Sequence, residues 1–255
     1  MRQALVDALA VGTNIAFFGA NAVYRNIRLE PGSSGAGERR MANFRTAADP
    51  GAHGDTELVT VNWREPPLKR PEAEIVGVQY GCAEVHANMR LVNTRSWLYE
   101  GTDARDGQRI PDLVGVEFDE LAPSSETPPN LEVIAATPLD CRQLTYQQVT
   151  TYHTLENGAG VFAAGTIGWN CGLDGTCGAI PRSDVVRGIT ANVLRAFAAG
   201  PAGLTHPSTG NASRYRIRVH ESTQPPVVVT STTPDTSGPT PTEPPTTPSP
   251  VTSAP

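Results

Sequence analysis

Cys82, Glu84 and His86 alternate along the chain, so an extended segment would present all three on one face. Such a trio could serve a cysteine nucleophile with an adjacent base, or a metal ion. No small-x-Cys-x-Gly pattern surrounds any cysteine, however, and the preferred reading is a disulfide-bonded Cys82 with Glu84 and His86 in solvent. The second candidate is the acidic series Glu100, Asp103, Asp106, Asp112, Glu117, Asp119 and Glu120, whose oxygens could hold a hard cation. Its spacing matches no EF-hand loop, and Arg105 and Arg109 are interspersed, which favours a solvated mixed-charge surface. Glu117 differs from its neighbours because it lies inside Val114-Gly-Val-Glu-Phe, an apolar context able to bury a carboxylate and raise its pKa. If Val114, Val116 and Phe118 all face inward, Glu117 instead points out. His153, beside Tyr152, is the candidate general base, although a histidine in such a strand is more often a satisfied polar group. No GxSxG elbow, Walker loop or GxGxxG fingerprint occurs.

These side chains depend on the elements that hold them. Met1, Ala4, Leu5, Ala8 and Leu9 are expected on one face of a first helix that Gly12 stops, followed by a short buried strand over 15–18. The small-residue turn 19–24 then lies at the carboxyl end of that strand, the edge where open α/β sheets bind ligands, which makes Asn21 and Tyr24 binding candidates. Further strands are expected over 26–30 and 41–45, around a loop at 31–37, and residues 46–71 read mostly as loop. Short apolar pieces follow at 75–80 and 89–92, and those at 96–99 and 113–118 bracket the loop 100–111. A buried strand is expected over 131–136. Residues 148–154 and 160–169 form a predicted hairpin turning at Glu156-Asn157-Gly158, where Asn-Gly supplies the positive φ that a tight turn needs. Ser183 is a good N-cap for a helix with Val186, Ile189, Val193 and Phe197 in one stripe, stopped at Gly200-Pro201. Residues 214–220 alternate as a last strand. No internal repeat is present.

The final 34 residues, 222–255, contain 10 Pro, 10 Thr and 5 Ser, with no Lys, Arg or aromatic residue. Such a composition cannot bury enough apolar surface to offset its ordering entropy, so a disordered linker or tail is expected there, after one globular domain over 1–221. The tail holds two acids, Asp235 and Glu243, and no base, so the chain's net charge of −6 becomes −4 for the domain. That balance argues against nucleic-acid or anionic-membrane partners, which require a basic footprint. No run of 18 apolar residues exists to span a membrane. Met1 to Val11 makes a poor signal peptide because Asp7 sits in its apolar region. A domain opening on a helix with no strand before it leads us to expect further chain upstream of Met1.

The four cysteines, Cys82, Cys141, Cys171 and Cys177, form no CxxC pair, so zinc-ligand spacing is absent. An even count with a tiny loop between Cys171 and Cys177 fits disulfides 171–177 and, by elimination, 82–141; four reduced thiols remain the alternative. Together with the Pro/Thr tail, disulfides point to an extracytoplasmic or secreted setting. Asn211-Ala-Ser213 is a glycosylation sequon by spelling.

Several segments, taken in order, carry a resemblance: Ile15-Ala-Phe-Phe-Gly-Ala-Asn-Ala-Val-Tyr, Arg39-Arg-Met, Asn62-Trp-Arg, Arg70-Pro-Glu, Gly77-Val-Gln-Tyr, Trp97-Leu-Tyr-Glu-Gly-Thr, Gly115-Val-Glu-Phe-Asp and Gly158-Ala-Gly-Val-Phe-Ala-Ala-Gly-Thr-Ile-Gly-Trp. Over residues 1–203 the chain resembles the C-terminal domain of the N,N-dimethylformamidase large (beta) subunit family. The resemblance implies an α/β domain similar to class I glutamine amidotransferases, with long loop insertions over the strand ends. It also implies a mononuclear-iron amidohydrolase with tyrosine and glutamate ligands that cleaves dimethylformamide to dimethylamine and formate. The His-Asp-Glu-Tyr-Trp type segment, which would bring one tyrosine ligand just before the first helix, does not occur here, and Glu117 is the remaining candidate glutamate. The expectation is therefore a metal-dependent C–N hydrolase fold with a site near Asn21, Tyr24 and Glu117, inactive in this chain for want of a complete iron shell. The alternative is a non-catalytic surface or carbohydrate-binding module of the same fold; the partner expected is a small molecule or a surface polysaccharide.

Overall fold

A computed structural model of the chain describes residues 1–33, 35 and 37–217. The Pro/Thr-rich segment 222–255, and the last three positions of the strand expected over 214–220, lie outside the described residues.

Eight strands and four helices are formed among the described residues. A six-stranded sheet runs in the order β1 (Ile15–Phe17), β8 (Gly160–Ala163), β7 (Leu144–Thr154), β5 (Arg109–Glu120), β4 (Gln79–Arg90), with β6 (Glu132–Cys141) on the other edge of β7. β2 (Arg28–Glu30) and β3 (Arg40–Ala42) make a separate antiparallel ribbon. Within the large sheet only β1 and β8 run parallel; the remaining pairs are antiparallel. The class is therefore mixed α/β, and the parallel order expected of an amidotransferase-like core is represented by one pair of strands. The β4–β5 and β6–β7 ribbons meet again through the Leu91–Ala135 bridge and the Cys82–Cys141 disulfide.

Helices cover the sheet on two sides. The α4 helix (Asp184–Ala198) starts where Ser183 Oγ accepts from Val186 N at 3.3 Å, and its Val186, Ile189 and Val193 pack with Phe118, Ile134 and Trp169. Trp169 lies 1 % exposed, with its indole N–H donated to Thr190 Oγ1 at 3.0 Å. On the opposite side α1 (Arg2–Ala10) and α2 (Ala73–Val76) contribute Leu9, Ile75 and Val76 to a second core with Val133 and Ala136. Neighbouring residues of β6 thus serve opposite cores, which is why the segment reads as an unbroken apolar run. The short α3 (Cys171–Asp174) is tied by the Cys171–Cys177 disulfide. A third cluster, Ala52, Val59, Val61 and Leu68, gives the loop-like stretch 46–71 its own interior. Asp49 anchors it by accepting from both terminal nitrogens of Arg28 at 3.0 Å and from Thr60 Oγ1 at 2.7 Å. The Arg28 guanidinium holds the Asp49 carboxyl well below the usual carboxylate range.

Three expectations are corrected. In α1 the inward positions are Arg2, Leu5, Val6 and Leu9, while Met1 and Ala4 are exposed. The helix is rotated because the Arg2 guanidinium finds internal partners: it donates to Pro71 O at 3.1 Å, pairs with Glu74 at 2.7 Å, and sits 5.3 Å from the Trp63 ring centroid. In β5, Val114 and Phe118 are buried, but Val116 is 51 % exposed and Glu117 half-buried, since register irregularities in the β4–β5 ribbon break the alternation. Ala212–Tyr215 form a 3-10 turn instead of the start of a last strand. Asn211, the sequon residue, is clamped inward, its side chain bonding to Val133 N at 2.7 Å and Val133 O at 3.0 Å.

The β6–β7 connection carries an expected result of its own. Arg142 (φ 48°) and Gln143 (φ 68°) are the two residues between Cys141 and Leu144, both in the left-handed region. Side chains other than Gly, Asn and Asp are poorly suited there. Replacing Arg142-Gln143 with Asn-Gly is expected to stabilise the domain by about 1 kcal/mol. A thermal melt of the double variant, rising by about 2–4 °C, checks this.

Candidate functional site

The turn after β1 is built around two residues of positive φ, Asn21 at 60° and Val23 at 54°. Asn tolerates this region; a β-branched valine there is a strained position, of the kind that collects at binding and catalytic sites. The turn aims Asn21 at the end of β5. Its backbone N–H donates to Asp119 Oδ1 at 2.8 Å and its side-chain amide donates to Glu117 Oε2 at 2.9 Å. One residue therefore holds two carboxylates that lie two apart on a strand. Asp119 is 2 % exposed, and its carboxyl is pushed up to about 7, first by burial and then by the nearby Glu72 and Glu117, against the opposing pull of the Asn21 N–H and Arg64. A carboxyl that titrates near neutrality can both give and take a proton at physiological pH.

Tyr24 completes the turn. Its strand-like neighbours pair with the loop 61–63, Asn26 N donating to Val61 O and Trp63 N to Tyr24 O, both at 2.9 Å. That pairing sets the Asn62 amide against the Tyr24 hydroxyl at 3.0 Å. The Tyr24 ring packs on Tyr80 with centroids 4.9 Å apart, and the Arg64 guanidinium lies 5.3 Å from it. Arg64 forms an ion pair with Glu72, which is 1 % exposed, and donates to Tyr80 O at 3.1 Å. Burial, with Glu117 adding to it, raises the Tyr80 phenol above its ordinary pKa.

Four polar atoms in this cluster are buried without a partner: Asn21 Oδ1, Asn62 Oδ1, Glu72 Oε2 and Arg64 Nε. Buried polar atoms are almost always satisfied, so four orphans in one place mark a site for water or ligand. Beside the cluster opens a cavity of about 800 Å3 lined by Phe17, Asn21, Tyr24, Arg25, Trp63 and Arg70, among others.

Asn21, Tyr24 and Glu117 are thus brought together, and Asp119, Asn62, Arg64, Glu72 and Tyr80 join them. His153 goes elsewhere. It lies in β7 against Leu131 and Gly77, whose lack of a side chain leaves room for the imidazole, and it lines a different cavity with Glu74, Asn130 and Glu156. Burial lowers its pKa to about 4, so at neutral pH it is an uncharged imidazole with Nδ1 unpartnered. Cys82 and Cys141 are disulfide-bonded, as are Cys171 and Cys177, while Glu84 and His86 are exposed. Among the described residues no three His, Cys, Asp or Glu side chains converge to hold a metal ion. Tyr24 and Glu117 are oxygen donors of the right kind for iron, yet both already accept from amides of Asn62 and Asn21 and provide two ligands at most. The residues present do not make a closed iron shell. No helix of the described residues is long and apolar enough to cross a membrane.

The signal that could have found the missing members was in plain view: Asn62-Trp-Arg, Arg70-Pro-Glu, Gly77-Val-Gln-Tyr and Gly115-Val-Glu-Phe-Asp each deliver one or two of them. A search of curated proteins gives no match. A family model described as N,N-dimethylformamidase beta subunit-like, C-terminal, matches residues 1–182, which contain every member of the cluster. The chain belongs to the N,N-dimethylformamidase beta subunit-like family, as a C-terminal domain of that type.

Proposed function

We propose that the cluster hydrolyses an amide C–N bond, and that it does so with the two carboxylates that Asn21 holds. The observation that carries this reading is the Asn21 bridge: a half-buried Glu117 and a buried Asp119 whose carboxyl is pushed up to about 7, joined by Asn21, which itself stands on the wall of a cavity. Glu117, as carboxylate, takes a proton from water while the oxygen adds to the amide carbonyl. Protonated Asp119 gives its proton to the nitrogen as the C–N bond breaks. Acid and amine leave, and the proton now on Glu117 restores the one that Asp119 lost. The Asn21 amide orients Glu117, and its N–H keeps Asp119 in place.

The family resemblance adds metal dependence as an expectation, but Tyr24 and Glu117 alone leave an iron shell open, so no step is routed through iron. For the architecture, an amidotransferase-like arrangement is supported by the parallel β1–β8 pair with the site at the carboxyl end of β1. Export is supported by two disulfides, which form and persist in oxidising compartments.

Amine release from a panel of small amides, measured with the purified chain alongside its iron content, tests the reading. Turnover that survives chelation and is lost in Glu117→Gln supports the carboxylate pair. Stoichiometric iron on which all turnover depends would replace it with the metal route. No turnover of any amide would remove the hydrolase reading and leave a binding module.

A further inference from the structure

The cavity beside Asn21 differs in charge from the rest of the molecule. In a chain of net charge −6, the residues lining it include Arg2, Arg25 and Arg70 and no Asp or Glu. Arg2 is spent on structure, 6 % exposed and paired with Glu74 at 2.7 Å. The other two are not. Arg25 has no carboxylate within 4 Å among the described residues; its guanidinium lies 5.5 Å from the centroid of the Tyr24 ring. Arg70 has only Glu57 Oε2 at 3.7 Å, with the Arg70 side chain half-buried and Glu57 exposed, so water screens the pair and leaves the guanidinium free for a ligand. Both guanidinium carbons lie near Trp63, that of Arg70 at 5.6 Å and that of Arg2 at 5.3 Å from its ring centroid. Phe17 and Val23 add apolar wall.

We propose that the amide this cavity takes is an anion: an N-acyl compound with a carboxylate on its amine part, bound by Arg25 and Arg70, with its apolar portion against Trp63 and Phe17 and its amide toward Asn21. A guanidinium is planar and doubly donating, which matches a carboxylate, and charge-assisted hydrogen bonds at a partly buried site outweigh neutral ones. The cavity volume of about 800 Å3 is within the range for small-ligand sites. Arg25 and Arg70 are then specificity residues that contact the substrate away from the reacting bond. This inference rests on the hydrolase reading only for the word substrate; the anion site stands on the arginines.

Calorimetric titration with N-formylphenylalanine and with its uncharged methyl ester tests it without requiring turnover. The carboxylate is expected to bind about tenfold or more tightly than the ester, as loss of a charge-assisted contact demands. Arg25→Gln and Arg70→Gln should each weaken the carboxylate about tenfold and leave the ester unchanged, with circular dichroism showing both variants folded. Arg187→Gln, on the exposed face of α4, should change neither. Equal or tighter binding of the ester, no binding of either probe, or carboxylate affinity unaffected by both arginine variants would overturn the proposal. Binding of the carboxylate with no hydrolysis of any amide would keep this inference and remove the hydrolase reading. Hydrolysis of neutral amides with the carboxylate rejected would do the reverse.

Discussion

Asp119→Asn is expected to give a protein that is more stable than the parent at pH 8 and catalytically dead. The sign follows from the carboxyl's pKa of about 7 in the folded state against an ordinary 3.8. Between those values the folded protein keeps a proton on Asp119 that the unfolded chain has released, so raising the pH through this window favours unfolding. At about 1.4 kcal/mol per pH unit the loss amounts to roughly 4 kcal/mol by pH 7, and it is flat beyond. Asparagine has the same shape, cannot ionise, and can still accept from Asn21 N. The variant should therefore lose the downward slope of stability between pH 4 and 7 while matching the parent near pH 4. Urea melts at pH 4, 6 and 8 read this directly, and equal slopes in parent and variant would show that Asp119 is not the titrating group. Hydrolysis should disappear in the same variant, because the proton donor has gone. A gain in stability coupled to a loss of activity is the usual signature of a group buried for function.

The second large effect concerns the Arg64–Glu72 pair. Glu72 is 1 % exposed, with one oxygen shared between Arg64 and Tyr80 N and the other unpartnered. Arg64→Met strands that carboxylate in the interior and is expected to cost roughly 3–5 kcal/mol, a fall in melting temperature of about 10 °C. Glu72→Gln on the same background keeps an acceptor for Tyr80 N and removes the charge, so the double variant should recover most of the loss. If the single and double variants melt together, the penalty comes from the lost contact of the Arg64 guanidinium with the Tyr24 ring, and the ion pair does not support the site.

How much of this could be read from residues alone depends on the range of the interaction. The α4 helix was legible because its signals are local: the Ser183 cap, the Val186, Ile189, Val193 stripe and the Gly200-Pro201 stop lie within one element. The Asn157-Gly158 hairpin and the Cys171–Cys177 loop were legible for the same reason, and Cys82–Cys141, 59 residues apart, followed by elimination from an even count. The long antiparallel ribbon β4–β5 was not. Glu84 (φ 64°) and Asp112 (φ 52°) hold positive φ inside it and the register shifts three times, so neither strand shows twelve residues of alternation. The turn at Arg142-Gln143 carries none of the residues that announce it. In α1 a buried arginine displaced the apolar face, a tertiary choice made by Pro71, Glu74 and Trp63. Asn21, Tyr24 and Glu117 could be nominated from a turn at a strand end and from the resembling segments. That Asn21 reaches across 98 residues to Asp119, and that Arg64 and Glu72 support the floor beneath them, is set by the fold and is invisible to spacing.

The most direct test of the account is the pH dependence of amine release by the parent, Glu117→Gln and Asp119→Asn proteins in the presence of a chelator. Parent activity is expected to fall as pH rises through about 7, where Asp119 loses its proton, and neither variant is expected to retain turnover. Activity that is unchanged in both variants, or that appears only when iron is restored, would contradict it.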